Sequence, residues 1–194
     1  MAEAPVAWRE GWWTSARASP SPNQGPRPDG MAIDLVVLHA ISLPPGEYGG
    51  PEVEDLFLNR LDTRTDARLA DLAGLQVSAH FFIRRDGSCL QFVPVDRRAW
   101  HAGVSSFQGR SGCNDFSVGI ELEGCDADGF EPAQMRTLTA LLRALRRLCP
   151  LRAVTGHEHI APGRKTDPGP GFDWRALRRR VRWSPRRFPD VNTE

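Results

Sequence analysis

Residues 33–40, "IDLVVLHA", form a nearly unbroken apolar run rich in β-branched side chains. Such a run predicts a central strand buried on both faces. Further on, "PEVEDLFLNRL" (51–61) sets Val53, Leu56, Phe57 and Leu61 at helical spacing behind a proline suited to a first turn. "VSAHFFIRRDGSCLQFVP" (77–94) reads as two strands around an Asp-Gly turn. "FSVGIELEG" (116–124) alternates well enough to be another strand. "EPAQMRTLTALLRALRRLC" (131–149) gathers Met135, Leu138, Leu141, Leu142, Leu145 and Leu148 on one face with arginines opposite, an amphipathic helix that would cover a sheet. A short strand "RAVTGH" ending on His157 and a helix "DWRALRRRVR" close the pattern. These elements predict an α/β fold, a mixed central β-sheet flanked by helices. There is no internal repeat.

The Pro, Ser and Gly content of "RASPSPNQGPRPDG" (17–30) predicts a largely irregular N-terminal arm, residues 1–30. One domain over 31–183 and a short tail over 184–194 complete the division, within the size a single core can stabilise. A net charge of +1 points to neither nucleic acid nor an anionic membrane as partner. The arginine-rich "WRALRRRVRWSPRR" reads as a solvated helix face and loop. No apolar run is long enough to span a membrane, and the first residues lack the layout of a secretory signal. Cys89, Cys113, Cys125 and Cys149 show no CxxC pair, so they read as free thiols of a reducing compartment, and cytoplasm is the expected location.

Chemistry concentrates in "TGHEHIAPGRKTDPGP" (155–170), two histidines, a lysine and an aspartate among glycines and prolines. Two neutral imidazoles and a carboxylate suit Zn²⁺ with a fourth position for water, and His39, His157 and Asp167 are placed to supply them. Lys165 is the only lysine among 25 basic residues. It could be a compact cation stabilising an oxyanion, or a chance survivor of an arginine-biased composition. In "GIELEG", Glu121 and Glu123 share a strand face, and one of them could shuttle a proton. Glu121 is the better candidate, and Glu123 reads as a solvent-facing glutamate on an edge strand. Of the remaining histidines, His80 reads as packed, and His159 as lying behind a ligand or on the surface. A different reading makes Cys113 a nucleophile with His101 and Asp115.

Four ordered stretches carry a resemblance: "VVLHAISLPPGEYGGPEVEDLF", "VSAHFFIRRDGSCLQFVPVDRRAWHAGVSSFQGR", "CNDFSVGIELEG" and "TGHEHIAPGRKTDPGPGFDW". With these the chain resembles the amidase-2 and peptidoglycan-recognition-protein superfamily, and within it the N-acetylmuramoyl-L-alanine amidases of the AmpD type. The resemblance implies that fold, Zn²⁺ on His39, His157 and Asp167, Glu121 as proton shuttle and Lys165 as catalytic cation. It places Trp100 and His101 of "AWHAG", with Arg110 and Asn114, beside the substrate. The implied reaction is hydrolysis of the amide between N-acetylmuramic acid, especially its 1,6-anhydro form, and L-alanine of the stem peptide, in cytosolic cell-wall recycling linked to β-lactamase induction. An anhydro-muropeptide is the implied partner of a monomer; a non-catalytic peptidoglycan-fragment binding module of the same fold is the alternative. Ala40, Gln76, Gly112 and the Glu158-His159 pair depart from the family's usual residues, which bears on substrate grip.

Overall fold

The computed structural model describes residues 7–126 and 128–189. Its centre is a six-stranded sheet in the order Ala153–Gly156, Leu35–Ile41, Ser117–Glu123, Phe81–Ile83, Cys89–Gln91, Arg17–Ala18. The first four strands run parallel, Cys89–Gln91 turns back antiparallel through the Asp86-Gly87 hairpin, and Arg17–Ala18 lies parallel to it at the edge. The apolar run ending on His39 is the second strand, flanked on both sides, with Leu35 to Leu38 fully buried. It has no solvated face on which to alternate.

Alternation along the strands divides the core into two layers. Val36, Leu38, Phe81, Ile83, Val118, Ile120 and Leu122 point to one face, where α2 (Pro132–Leu148) and α4 (Trp174–Val181) lie on them. Four of the leucines read at helical spacing in α2 do the covering, whereas Leu148, expected on the same face, is exposed at the last residue of the helix. Leu138, Leu141, Leu142 and Leu145 are all fully buried, and each contributes about 1.5–3 kcal/mol on leaving water. Glu131 N–H donates to the Gln134 side chain at 2.9 Å, closing the first turn of α2. The same Gln134 amide donates to the carbonyls of Ile83 and Glu123 and so ties the helix start to two strand ends.

The opposite face carries Val37, His39, Gly119, Glu121 and Phe82. Against it pack α1 (Glu52–Phe57) through Val53, Leu56 and Phe57, and the segment leading to Trp100 and His101. Residues 7–30 belong to the same body. Beyond the edge strand, Ser21 donates to the Phe57 carbonyl, and the buried Asn23 amide donates to Val77 O. The Arg27 guanidinium donates to the carbonyls of Val95, Asn114, Asp115 and Ser117. At the other end, Phe188 packs into the α2 and α4 layer. Among the described residues no helix is long and apolar enough to cross a membrane.

Candidate functional site

Parallel pairing puts His39 directly opposite Glu121. Partners in register project to the same side, so both side chains leave the sheet together near the C-terminal ends of their strands. On the other flank the Ala153–Gly156 strand ends one residue earlier than expected. His157 is the first residue of a short helix, α3 (His157–Ile160), not the last of the strand. The chain then loops back until the Asp167 carbonyl accepts from Glu158 N–H at 2.9 Å. This turn brings the Asp167 carboxylate to both imidazoles.

The resulting triangle is tight. His39 Nδ1 and His157 Nδ1 are 3.0 Å apart, and Asp167 Oδ2 lies 3.1 Å from the first and 3.2 Å from the second. Tetrahedral zinc with bonds of about 2.0–2.1 Å separates its ligand atoms by roughly 3.3 Å, so these three atoms have the dimensions of one face of such a site. Among the described residues they form the group of His, Cys, Asp and Glu side chains able to share an ion. Burial pushes the His39 pKa down to about 4, although the Asp167 carboxylate beside it opposes this, which favours the neutral base a metal requires. For Asp167, burial raises the carboxyl, but the imidazoles of His157 and His39 beside it outweigh this and hold the group far below the usual range.

Glu121 stands 4.0 Å from His39 Nδ1. Burial, then the charge of Asp167, pushes its carboxyl well above the ordinary value, while the Lys165 charge works the other way. Its Oε2 is buried without a hydrogen-bond partner. A carboxyl held this way is poised to take up or give a proton, which a fully bonded surface glutamate is not. Lys165 lines the same cleft, its backbone N–H anchored on Ala161 O at 3.1 Å.

Glu123 is not the solvent-facing edge residue expected. Its strand is third of six, and the side chain is 3% exposed. It accepts from the backbone N–H groups of Gly49 and Arg85 at 2.6 and 2.9 Å, with Arg84 3.6 Å away. The carboxylate is spent on holding the loops at the strand ends.

The cleft is about 220 Å³. His39, Glu121, His157, Lys165 and Asp167 occupy its polar end, while Leu56, Phe57, Leu72, Leu75 and Val77 form an apolar wall. Trp100 and His101 line it, and Arg110 and Asn114 lie outside it. Arg110 bonds Asp34 at 2.8 Å and stacks on Phe116, beyond the opposite end of the His39 strand. The Asn114 side chain accepts from His101 N–H and Ala102 N–H at 3.1 and 2.8 Å, so it secures the backbone beside the cleft. Of the residues that depart from the family pattern, Ala40 lies in the cleft, and Gln76 lines a neighbouring hollow of about 130 Å³ that shares Leu56, Leu72 and Leu75. Gly112 is left-handed, at φ 73°, a conformation that favours glycine.

Two expectations about histidines agree with their surroundings. His80 is fully buried, its Nδ1 accepting from Gly119 N–H and its Nε2 facing Arg97 O. His159 Nδ1 accepts from Gly156 N–H and its ring packs edge-on to Trp174. The cysteine triad does not form. Cys113 is buried, which raises its thiol, Asp115 is paired with Arg98, and His101 Nε2 meets Ser117 Oγ at 3.1 Å. Neither the apolar wall nor Ser117 carries a signal in the sequence. Nothing in a helix's apolar stripe tells which of its leucines faces a cleft.

Comparison with known proteins gives the family. Residues 29–170 match the N-acetylmuramoyl-L-alanine amidase family. Over 171 residues, 87% of this chain and 93% of the relative, the sequence is 53% identical to the 1,6-anhydro-N-acetylmuramyl-L-alanine amidase AmpD of Escherichia coli K12. The crystal structure of a selenomethionine AmpD derivative superposes with a TM-score of 0.89 at 52% identity, over 91% of this chain and 99% of that one. The amidase AmiD from E. coli, solved with the substrate anhydro-N-acetylmuramic acid-L-Ala-D-γ-Glu-L-Lys, superposes at 0.58 and 29% identity, over 79% of this chain and 60% of that one. The chain belongs to the N-acetylmuramoyl-L-alanine amidase family.

Proposed function

We propose that this chain hydrolyses the amide between 1,6-anhydro-N-acetylmuramic acid and the L-alanine of a stem peptide, with Zn²⁺ as its metal. The observation that carries the reading is the triangle of His39, His157 and Asp167 ligand atoms beside the buried Glu121 carboxyl, in a chain 53% identical to AmpD. When bound, Zn²⁺ would act as a Lewis acid toward the scissile carbonyl and bring the pKa of a water down toward neutrality. His39, His157 and Asp167 hold it, and the lone pairs of the two neutral imidazoles serve as ligands.

Glu121 accepts the proton released as water attacks the carbonyl carbon, then returns it to the departing alanine nitrogen. Its Oε2, buried with no hydrogen-bond partner, is free for both transfers. Lys165 faces the same cleft and stabilises the negative charge on the former carbonyl oxygen. Leu56, Phe57, Leu72 and Leu75 shield one side of the reacting centre from water. A non-catalytic binding module would have no use for an unpartnered buried carboxyl beside a ligand triangle. Four free cysteines accord with a cytoplasmic place in wall recycling.

The test is incubation of purified full chain with 1,6-anhydro-N-acetylmuramyl tripeptide, with metal assayed in the same sample. Chelator-sensitive release of the free L-alanyl peptide with about one zinc per chain supports the amidase. Zinc without cleavage would mean a different substrate, and neither would favour the binding module.

A further inference from the structure

We infer that His101 is a positioning residue: it anchors a hydrogen-bond chain that holds His39 in the tautomer presenting a bare Nδ1 to the metal. The inference rests on the zinc reading above and concerns how the site is prepared.

The chain is read from its far end. Ser117 Oγ lies 2.6 Å from the Cys113 carbonyl, which can only accept, so the hydroxyl hydrogen is committed there. Toward His101, 3.1 Å away, the same oxygen must accept, which places the His101 hydrogen on Nε2. A neutral imidazole has one N–H, leaving His101 Nδ1 as an acceptor. His39 Nε2 stands 3.0 Å from it and donates. The hydrogen of His39 is thereby held on Nε2, and its Nδ1 lone pair faces His157 Nδ1 and Asp167 Oδ2. The opposite polarity would put hydrogen on His39 Nδ1, where the metal must bind, and would strip Cys113 O of the Ser117 hydroxyl.

His157 is supported from the neighbouring residue. Its Nε2 faces the Ala102 carbonyl at 3.2 Å, which again leaves Nδ1 as the free lone pair. Both imidazoles are therefore oriented from one dipeptide, His101 by its side chain and Ala102 by its backbone. The Asn114 side-chain oxygen Oδ1 accepts from the backbone N–H groups of both. Strand Ser117–Glu123 makes room for the arrangement at Gly119, where a Cβ would sit 2.4 Å from His101 Cγ. The glycine permits the ring to lie against the strand, edge-on to His39 with centroids 5.1 Å apart. Partners behind metal-bound histidines typically hold about 10–100-fold in metal affinity.

The experiment compares the full chain with His101→Leu and His101→Asn. Leucine fills the space without an acceptor, whereas asparagine keeps an acceptor near the position of Nδ1. Zn²⁺ affinity is measured by competition with a chromophoric chelator, the Co²⁺-loaded forms are compared by visible absorption, and melting is followed without metal. The expected order of Zn²⁺ affinity is parent, then H101N, then H101L, with H101L about 10–100-fold weaker, a changed Co²⁺ spectrum, and metal-free melting close to the parent's. Parent-like affinity in H101L, or H101L binding as well as H101N, overturns the inference and assigns the ring to packing. Should H101L not fold, Ser117→Ala stands beside H101N in the same assay; both bind Zn²⁺ several-fold more weakly if the chain of bonds matters, and parent-like affinity in both overturns it. A parent that takes up no Zn²⁺ removes the zinc reading and this inference together, whereas a loaded parent with indifferent variants removes this inference alone.

Discussion

Replacing Glu121 by glutamine separates what the carboxyl costs the fold from what it contributes to the reaction. The group is 8% exposed, one oxygen has no hydrogen-bond partner, and burial raises its proton affinity well above normal. In the metal-free protein the folded state therefore holds its proton at pH values where the unfolded chain, with a pKa of about 4.3, has released it. The folded state then binds more protons, so stability falls as pH rises above that value until the folded carboxyl also ionises. Below it both states are protonated and the cost vanishes. A buried polar atom without a partner costs about 1–3 kcal/mol, and more when charged. The uncharged amide of E121Q escapes the ionisation cost. Metal-free E121Q should thus match the parent near pH 4 and exceed it by about 1–3 kcal/mol at pH 8, roughly 2–12 °C in melting temperature for a chain of this size. Urea unfolding of both proteins after chelator treatment, at several pH values, measures this. The zinc-loaded variant should turn over about 10²–10³-fold more slowly. Equal stability at both ends of the pH range would refute the buried, protonated carboxyl, whatever the kinetics showed.

Three further outcomes follow from the same geometry. Lys165→Ala should lower kcat by about 10²–10³-fold at unchanged zinc content, and Lys165→Arg should restore little of it, because the planar fork does not replace a point charge in a small cleft; steady-state kinetics with metal analysis decides. Asp167→Ala should lose the metal, and without metal it should also be less stable than the parent at neutral pH. Because the native carboxyl is depressed, that deficit is full above the unfolded pKa of about 3.9 and closes as pH falls below it, a trend that denaturation at successive pH values would reveal. Leu138→Ala, at the centre of α2, should cost about 2–5 kcal/mol in urea denaturation yet leave zinc stoichiometry intact, since it lies across the sheet from the cleft.

Local pattern made the elements legible; pairing decided what they do. The β-branched run ending on His39, the Asp-Gly hairpin and the leucine face of α2 each carry their own signal within a few residues. The register that sets His39 beside Glu121 joins strands far apart in sequence and leaves no local trace. Glu123 departs from its expected solvent-facing position for that reason. Alternation in "IELEG" suggests one solvated face, but strands on both sides and the loops carrying Gly49 and Arg85 enclose it. The three metal-binding candidates were readable because few residue types can do that work. Arg110 and Asn114 were harder to place, since an arginine or asparagine near a cleft serves equally well as internal bracing. The Ser117 bond to His101 could not be anticipated, because a serine in a strand looks like any other.

The place of the His39 strand in the sheet has a consequence for the chain while it is being made. His39 meets His157 and Asp167 across separations of 118 and 128 residues. At about 5–20 residues per second, roughly 6–26 s pass between synthesis of the first ligand and the last. Until residues 117–123 emerge, an apolar strand that will end up fully enclosed lacks both of its neighbours, and it lacks the second until residues 153–156 follow, a state in which unpaired edges invite wrong partners. On the proposed metal reading, the triangle of His39, His157 and Asp167 is complete only once residue 167 has been made, so a chain truncated before it would lack one of the three groups that could hold the ion.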